Sequence, residues 1–197
     1  MANVCNRLAA LGALVCFVPL MLLIATLIIS IDGKPILFMQ KRLGFRKRLF
    51  LIMKFRTLKE NKVTRTGKWL RATGLDELPQ LLNIVRGEMN VVGPRPLTDI
   101  DCERFKYNTR EHLRRWVVKP GLTGLSQVCG AKSAHGSWEI DTQYIKTRTV
   151  GMDLVLVGIT LLMNAGGKRI IRGFLQSSSV SVVRKYAAHF GLNARVQ

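Results

Sequence analysis

Acidic residues are scarce in this chain of 197 residues. Twelve Asp and Glu stand against 31 Lys and Arg, a formal charge of +19 that directs the molecule toward something anionic: phospholipid headgroups, phosphorylated substrates or nucleic acid. Cysteine and histidine are thin as well. Cys5, Cys16, Cys102 and Cys129 form no C-x-x-C pair, and His112, His135 and His189 are scattered, so neither a disulfide framework nor a zinc site is indicated and a reducing compartment is expected. The three Trp and three Tyr form no stacking platform, and no helix-turn-helix, RRM or zinc module is recognisable, so no nucleic acid is expected as a partner. No internal repeat or low-complexity domain is visible.

What is present is grease beside charge, since 48% of the residues are hydrophobic. Residues 8–31 carry no formal charge, which is long enough for a helix through a hydrocarbon core. A cleaved signal peptide has a shorter apolar region, and no A-x-A-like site follows before Asp32. Arg7 alone precedes the run, whereas Lys34, Lys41, Arg42, Arg46, Lys47 and Arg48 follow it, which places the main domain on the cytoplasmic side. Pro19 sits in mid-run, where it removes a backbone hydrogen bond. The segment therefore either spans or enters and leaves through one face; proline is tolerated in both.

After a linker at 32–35, two apolar clusters flank a polar, Gly-containing centre at 41–48 and predict a hairpin. Leu75, Leu78, Leu81, Leu82 and Val85 share one helical face, with a start near Gly74, Pro79 close behind it and Gly87 placed to end the helix. A stiff turn, Pro94-Arg95-Pro96, precedes a charged, helix-like stretch at 99–115, and 120–124 marks a further loop. The uncharged run 154–163 is too short to span and reads as a buried or interfacial helix; the basic segment 168–172 behind it suits anionic headgroups or is a solvated tail.

Asp76 and Glu77 are adjacent acids in a domain with few, and the helix reading puts them in its first turn. There the helix dipole favours ionised carboxylates, which serves ordinary stabilisation as well as a nucleophile. Their sequence neighbours are basic: Lys54 and Arg56 in KFRTL, Lys68 and Arg71 just before the acids, and Arg95 in the Pro-Arg-Pro turn. Phosphoryl transfer needs such cations, often with Mg²⁺, around the transferring group.

At these residues the chain resembles the bacterial sugar transferases, the monotopic polyprenyl-phosphate phosphoglycosyl transferases. The likeness runs in order through KPILFMQKRLG, KFRTL, GKWLRATGLDELPQLLNIVRGEMNVVGPRP, KPGLTGLSQVCG and SWEI, to roughly residue 162. It implies transfer of a sugar-1-phosphate from a UDP-sugar to undecaprenyl phosphate with release of UMP, by a ping-pong route. By motif, Asp76 is the nucleophile that forms the phosphosugar intermediate and Glu77 the Mg²⁺ ligand. Arg71 and Arg95 correspond to arginines near substrate phosphates, Pro94 and Pro96 to a motif associated with the uridine, and Lys54 and Arg56 to further cations of the site. The resemblance also implies a re-entrant helix broken at Pro19. Three departures stand out: Val18 before that proline and Gly74 before LDE, each where relatives often carry serine, and Cys129-Gly130-Ala131-Lys132 where many read NGRN. Lys132 then substitutes a point charge for an arginine fork.

The expected architecture is α/β, mainly helical: a membrane-embedded helix over 1–33, a cytoplasmic catalytic domain over 34–172 with interfacial amphipathic helices, and a tail over 173–197. The expected place is the inner membrane, on anionic lipids, with the catalytic domain on its cytoplasmic face. The competing readings are a membrane-tethered basic binding module and an inactive family relative.

Overall fold

The structure is a computed structural model and describes residues 2–107, 112–131 and 133–166. The apolar run forms α1 (Ala2–Asp32), about 46 Å long at 1.5 Å per residue and apolar enough to cross a membrane. Pro19 lies inside α1, and where a break into two helices was expected the helix continues through it. Proline removes a single backbone bond, and the turns on both sides are held by their own packing. Before Pro19, Ala10, Ala13 and Leu14 lie against Phe50, Ile52, Leu81 and Ile84. After it, Ile24 and Ile28 lie against Phe55 and Leu70. The other face, with Leu8, Val15, Leu22 and Leu23, is exposed.

Both ends of α1 are fastened to the same domain. Near the start, Asn6 Oδ1 accepts from the Val91 N–H at 3.0 Å. At the finish, the Asp32 carboxylate accepts from the N–H groups of Arg65 and Thr66, each at 3.2 Å. Arg56 completes this end: Nε donates to Pro35 O at 2.6 Å, and Nη2 to Asp32 O at 3.0 Å and Gly33 O at 2.5 Å. An Arg56→Met variant leaves three carbonyls without their donor. It is expected to lose about 2–3 kcal/mol of unfolding free energy, read as a lower midpoint in detergent-solubilised thermal unfolding.

The predicted hairpin is β1 (Leu37–Leu43) paired antiparallel with β2 (Leu49–Phe55), in a register that sets Arg42 opposite Phe50 and Phe38 opposite Lys54. That face turns Phe50 and Ile52 into the core and carries Lys54 and Arg42 toward the site. A short pair, β3 (Leu58–Lys59) and β4 (Lys62–Val63), leads into α2 (Arg65–Thr73), where the Thr64 hydroxyl accepts from Gly67 N at 3.0 Å. The single helix expected from Gly74 to Gly87 is instead a 3-10 turn, Leu75–Glu77, followed by α3 (Gln80–Arg86). Gly74 closes α2 in the left-handed region at φ 72°, and Pro79 stands as N-cap of α3. A proline has no N–H to extend the turn before it, so the chain restarts there.

A parallel pair, β5 (Asn90–Val92) and β6 (Gly121–Thr123), spans the centre. Between them, α4 (Asp99–Arg104) is opened by a capping box of Thr98 and Asp101. The helix expected over 99–115 ends at Arg104, because Lys106 turns to φ 55°; a 3-10 segment, His112–Val117, follows. Then come α5 (Leu125–Cys129), α6 (Ala134–Thr147) and α7 (Val150–Gly166). The uncharged run falls in α7, which buries Leu156 and Met163 against Val92, Val128 and Tyr144 and exposes Leu154, Val155, Leu161 and Leu162. The described residues are thus mainly helical, with three two-stranded sheets. Residues 168–172 and the tail over 173–197 lie outside the described residues.

Candidate active site

The sharp turn at Gly74 brings Glu77 to the wall of a cleft of about 380 Å³. Gly74 and Glu77 line it, and Asp76 between them is buried, 9% exposed. The Asn164 side chain lies so close that a Cβ on Gly74 would stand 2.7 Å from its amide atoms. Lys54 reaches across from β2 to Glu77, with Nζ 2.6 Å from Oε1. The pair is partly buried and bonded as well as charged, so it fixes this carboxylate more firmly than an exposed ion pair would.

Arg95 stands on the wall of the same cleft, on a turn tethered at every carbonyl. Pro94 O accepts from Gly121 N at 2.9 Å, Arg95 O from Arg115 Nη2 at 2.9 Å, and Pro96 O from Arg42 Nη1 at 3.2 Å. The backbone is committed to the protein while the Arg95 residue stays exposed. Arg42 is held in turn by Asp101 at 3.2 Å and by Gln40 Oε1 at 2.6 Å. Burial opposes ionisation of Asp101, yet bonds from Thr98 and the charges of Arg42 and Arg95 hold its carboxyl below the ordinary 3.8. A depressed carboxylate lends stability that is full above that ordinary value and lost as pH falls through the folded one, so this tether is intact at neutral pH.

Of the residues singled out from sequence, Glu77 and Arg95 line the cleft; Asp76 is buried next to Glu77, Lys54 is bonded to Glu77, and Pro94 and Pro96 flank Arg95. Arg71, in the last turn of α2, is exposed and is not among the cleft's lining residues. The Arg56 guanidinium is bonded to three carbonyls at the end of α1, and Arg56 is not among the cleft's lining residues. Lys132 lies outside the described residues. Cys129, in the altered stretch, is no nucleophile, because burial pushes its thiol up to about 11.

The cleft also has walls that sequence reasoning missed. Thr123, Ser126 and Gln127 enter from β6 and α5, and Thr160 and Asn164 from α7. The Thr123 and Thr160 hydroxyls share a hydrogen bond at 2.5 Å. Two polar residues four apart in an apolar helix mark one face, and that spacing was visible in the sequence. Fully buried Asn83, also missed, donates to Leu51 O at 2.7 Å and Glu88 at 2.6 Å and accepts from Met53 N at 3.1 Å, joining α3 to β2 behind the acids.

The family model described as bacterial sugar transferase matches residues 1–166. The chain belongs to this family. Among its relatives, the bacterial sugar transferase is 36% identical over 185 residues to the exopolysaccharide production protein ExoY of Rhizobium meliloti, covering 78% of this chain and 80% of that one. It is 37% identical over 162 residues to a UDP-glucose:undecaprenyl-phosphate glucose-1-phosphate transferase of Caulobacter vibrioides, covering 72% of this chain and 61% of the relative. A third, the UDP-N-acetylgalactosamine-undecaprenyl-phosphate N-acetylgalactosaminephosphotransferase of Aeromonas hydrophila, is 33% identical over 186 residues, covering 85% and 43% respectively. The bacterial sugar transferase thus spans most of ExoY but less than two thirds of the other two.

A divalent ion has no all-protein cage here: among the described residues no three His, Cys, Asp or Glu stand together. Mg²⁺ is commonly held by one or two carboxylates plus substrate phosphates and waters, and Glu77 on the cleft wall, with Asp76 next to it, fits that mode.

Proposed function

We propose that this bacterial sugar transferase moves a sugar-1-phosphate from a UDP-sugar to a polyprenyl phosphate at the cytoplasmic face of the inner membrane. The observation that carries the reading is Glu77 and Arg95 on the wall of one cleft, with Asp76 buried next to Glu77 in the same 3-10 turn and Lys54 bonded to Glu77. The names of the Caulobacter and Aeromonas relatives, both undecaprenyl-phosphate transferases, agree with it.

In the first step an Asp76 carboxylate oxygen attacks the phosphorus that bears the sugar. The bond from that phosphorus to the bridging oxygen breaks, and UMP leaves with the electron pair. In the second step a phosphate oxygen of the polyprenyl phosphate attacks the same phosphorus, the acyl phosphate bond breaks, and Asp76 leaves as a carboxylate beside the lipid diphosphate sugar. Arg95 faces the donor phosphates, and Arg71 supplies positive potential from the end of α2. Lys54 orients Glu77 through its bond to Oε1. Glu77 and Asp76 are the residues that would hold Mg²⁺, which supplies charge neutralisation at the phosphates.

The membrane placement rests on α1. A helix fastened at both ends to one polar domain cannot carry its N-terminus across a bilayer that the domain does not cross, which supports a same-side placement of both ends over a span. The exposed apolar face of α7 and the excess of basic residues suit an anionic headgroup layer.

The test is UMP release by the full chain across a panel of UDP-sugars with undecaprenyl phosphate. Turnover is expected with at least one donor, only with acceptor present, and is lost on chelation of Mg²⁺. Absence of UMP release with every donor in the presence of Mg²⁺ would refute the proposal.

A further inference from the structure

Two charged residues that the mechanism above does not use are among the most buried in the molecule. Arg115 is 4% exposed and Asp141 1%. They are bonded to each other through Nη1 and Oδ2. Arg115 comes from the 3-10 segment before β6, and Asp141 from the middle of α6. Burial pushes the Asp141 carboxyl up, and Arg115 and then Ser126 act against it. Removing two charges from water is costly, and apolar replacement of such a pair is often neutral or stabilising, so stability alone gives little reason for it to be here.

Its second set of contacts gives the reason. The other terminal nitrogen of Arg115 donates to the main-chain oxygen of Arg95 at 2.9 Å. On the carboxylate side, Asp141 stands on α6, which packs against α5, where Ser126 lines the cleft; Asp141 Oδ1 makes no hydrogen bond among the described residues. One buried pair therefore ties the Pro94-Arg95-Pro96 turn to α6 and, through the packing of α6 on α5, to a second wall of the cleft. A guanidinium can do this because its fork offers separate nitrogens in fixed geometry; a lysine ammonium in its place would engage Asp141 as a point charge. The other side-chain tether of the turn, Arg42 to Pro96 O, is longer at 3.2 Å and more exposed.

We infer that the Arg115–Asp141 pair is a positioning device that holds Arg95 in register with α5 and so sets the affinity of the cleft for the nucleotide-sugar. The inference rests on the proposed transferase reading for its substrate, but the clamp itself is a mechanical property that can be read without turnover.

The test compares the wild-type full chain with Arg115→Lys and with the double variant Arg115→Met, Asp141→Leu. The double variant removes both charges together and so avoids stranding either one; it is expected to unfold in one cooperative transition near that of the wild type. Its Michaelis constant for the donor should rise about 10–100-fold, while that for polyprenyl phosphate and kcat stay within about threefold. Arg115→Lys should fall between. Amide exchange over 93–98 should quicken about tenfold or more in the double variant, with α3 unchanged. A folded double variant with wild-type donor KM, or with wild-type exchange over 93–98, overturns the inference. If the wild type releases no UMP with any donor, the transferase reading fails, and the exchange measurement still decides the clamp.

Discussion

Asp76→Asn is expected to lower UMP release by about 10⁴-fold or more, because the amide keeps the shape of the side chain and loses the nucleophile. The buried position of Asp76 favours a near-isosteric change, so the variant should fold. The covalent step is read directly by intact-protein mass spectrometry with donor and no acceptor. Wild type should gain the mass of one phosphosugar, and the variant none. Glu77 is the alternative acceptor, but its Oε1 is held by Lys54 at 2.6 Å, which reduces its readiness to attack. An adduct mapped to Glu77, or wild-type turnover by Asp76→Asn, would remove Asp76 from its assigned role.

Gly121→Ala should cost about 3 kcal/mol or more and take activity with it. The parallel pair β5–β6 brings two backbones so close that a Cβ on Gly121 would stand 2.0 Å from Gly93 N and 2.4 Å from Thr123 O. These are backbone atoms, with no flexible side chain to swing away. The clash also strikes the donor that holds Pro94 O, so it disturbs the Arg95 turn from beneath. Gly158→Ala on α7 is the control, since nothing lies within 4 Å of a Cβ there and helix propensity favours alanine by about 1 kcal/mol. Denaturant midpoints in detergent decide between them; a Gly121→Ala protein as stable as Gly158→Ala would contradict the close approach.

Much of this was legible without coordinates. The uncharged run forms α1, the two apolar clusters form the hairpin, and Gly87 ends its helix, because each depends on local patterns of charge, period or backbone freedom. The boundary at Pro79 was harder. Leucines at 75, 78, 81 and 82 have the same spacing whether the chain winds continuously or as a 3-10 turn followed by a helix. Arg56 shows a different limit: sequence reveals a cation, but the carbonyls that consume it lie 21 to 24 residues away. Arg115 and Asp141, 26 residues apart, look like surface charges until the fold buries them together. What sequence conveys poorly here is the destination of a side chain; what it conveys well is chemistry and local backbone.

The fastening of α1 also orders events in time. The greasy helix is made before the domain that fastens it: Val91, whose N–H binds Asn6, emerges about 60 residues after α1 is complete. At typical synthesis rates that gap lasts ~3–12 s. For that interval the start of the helix lacks this fastening, and α3, part of the surface it packs on, is still being made. Lipid or a chaperone must shelter it first, and the domain that later anchors it is assembled onto a helix already in place.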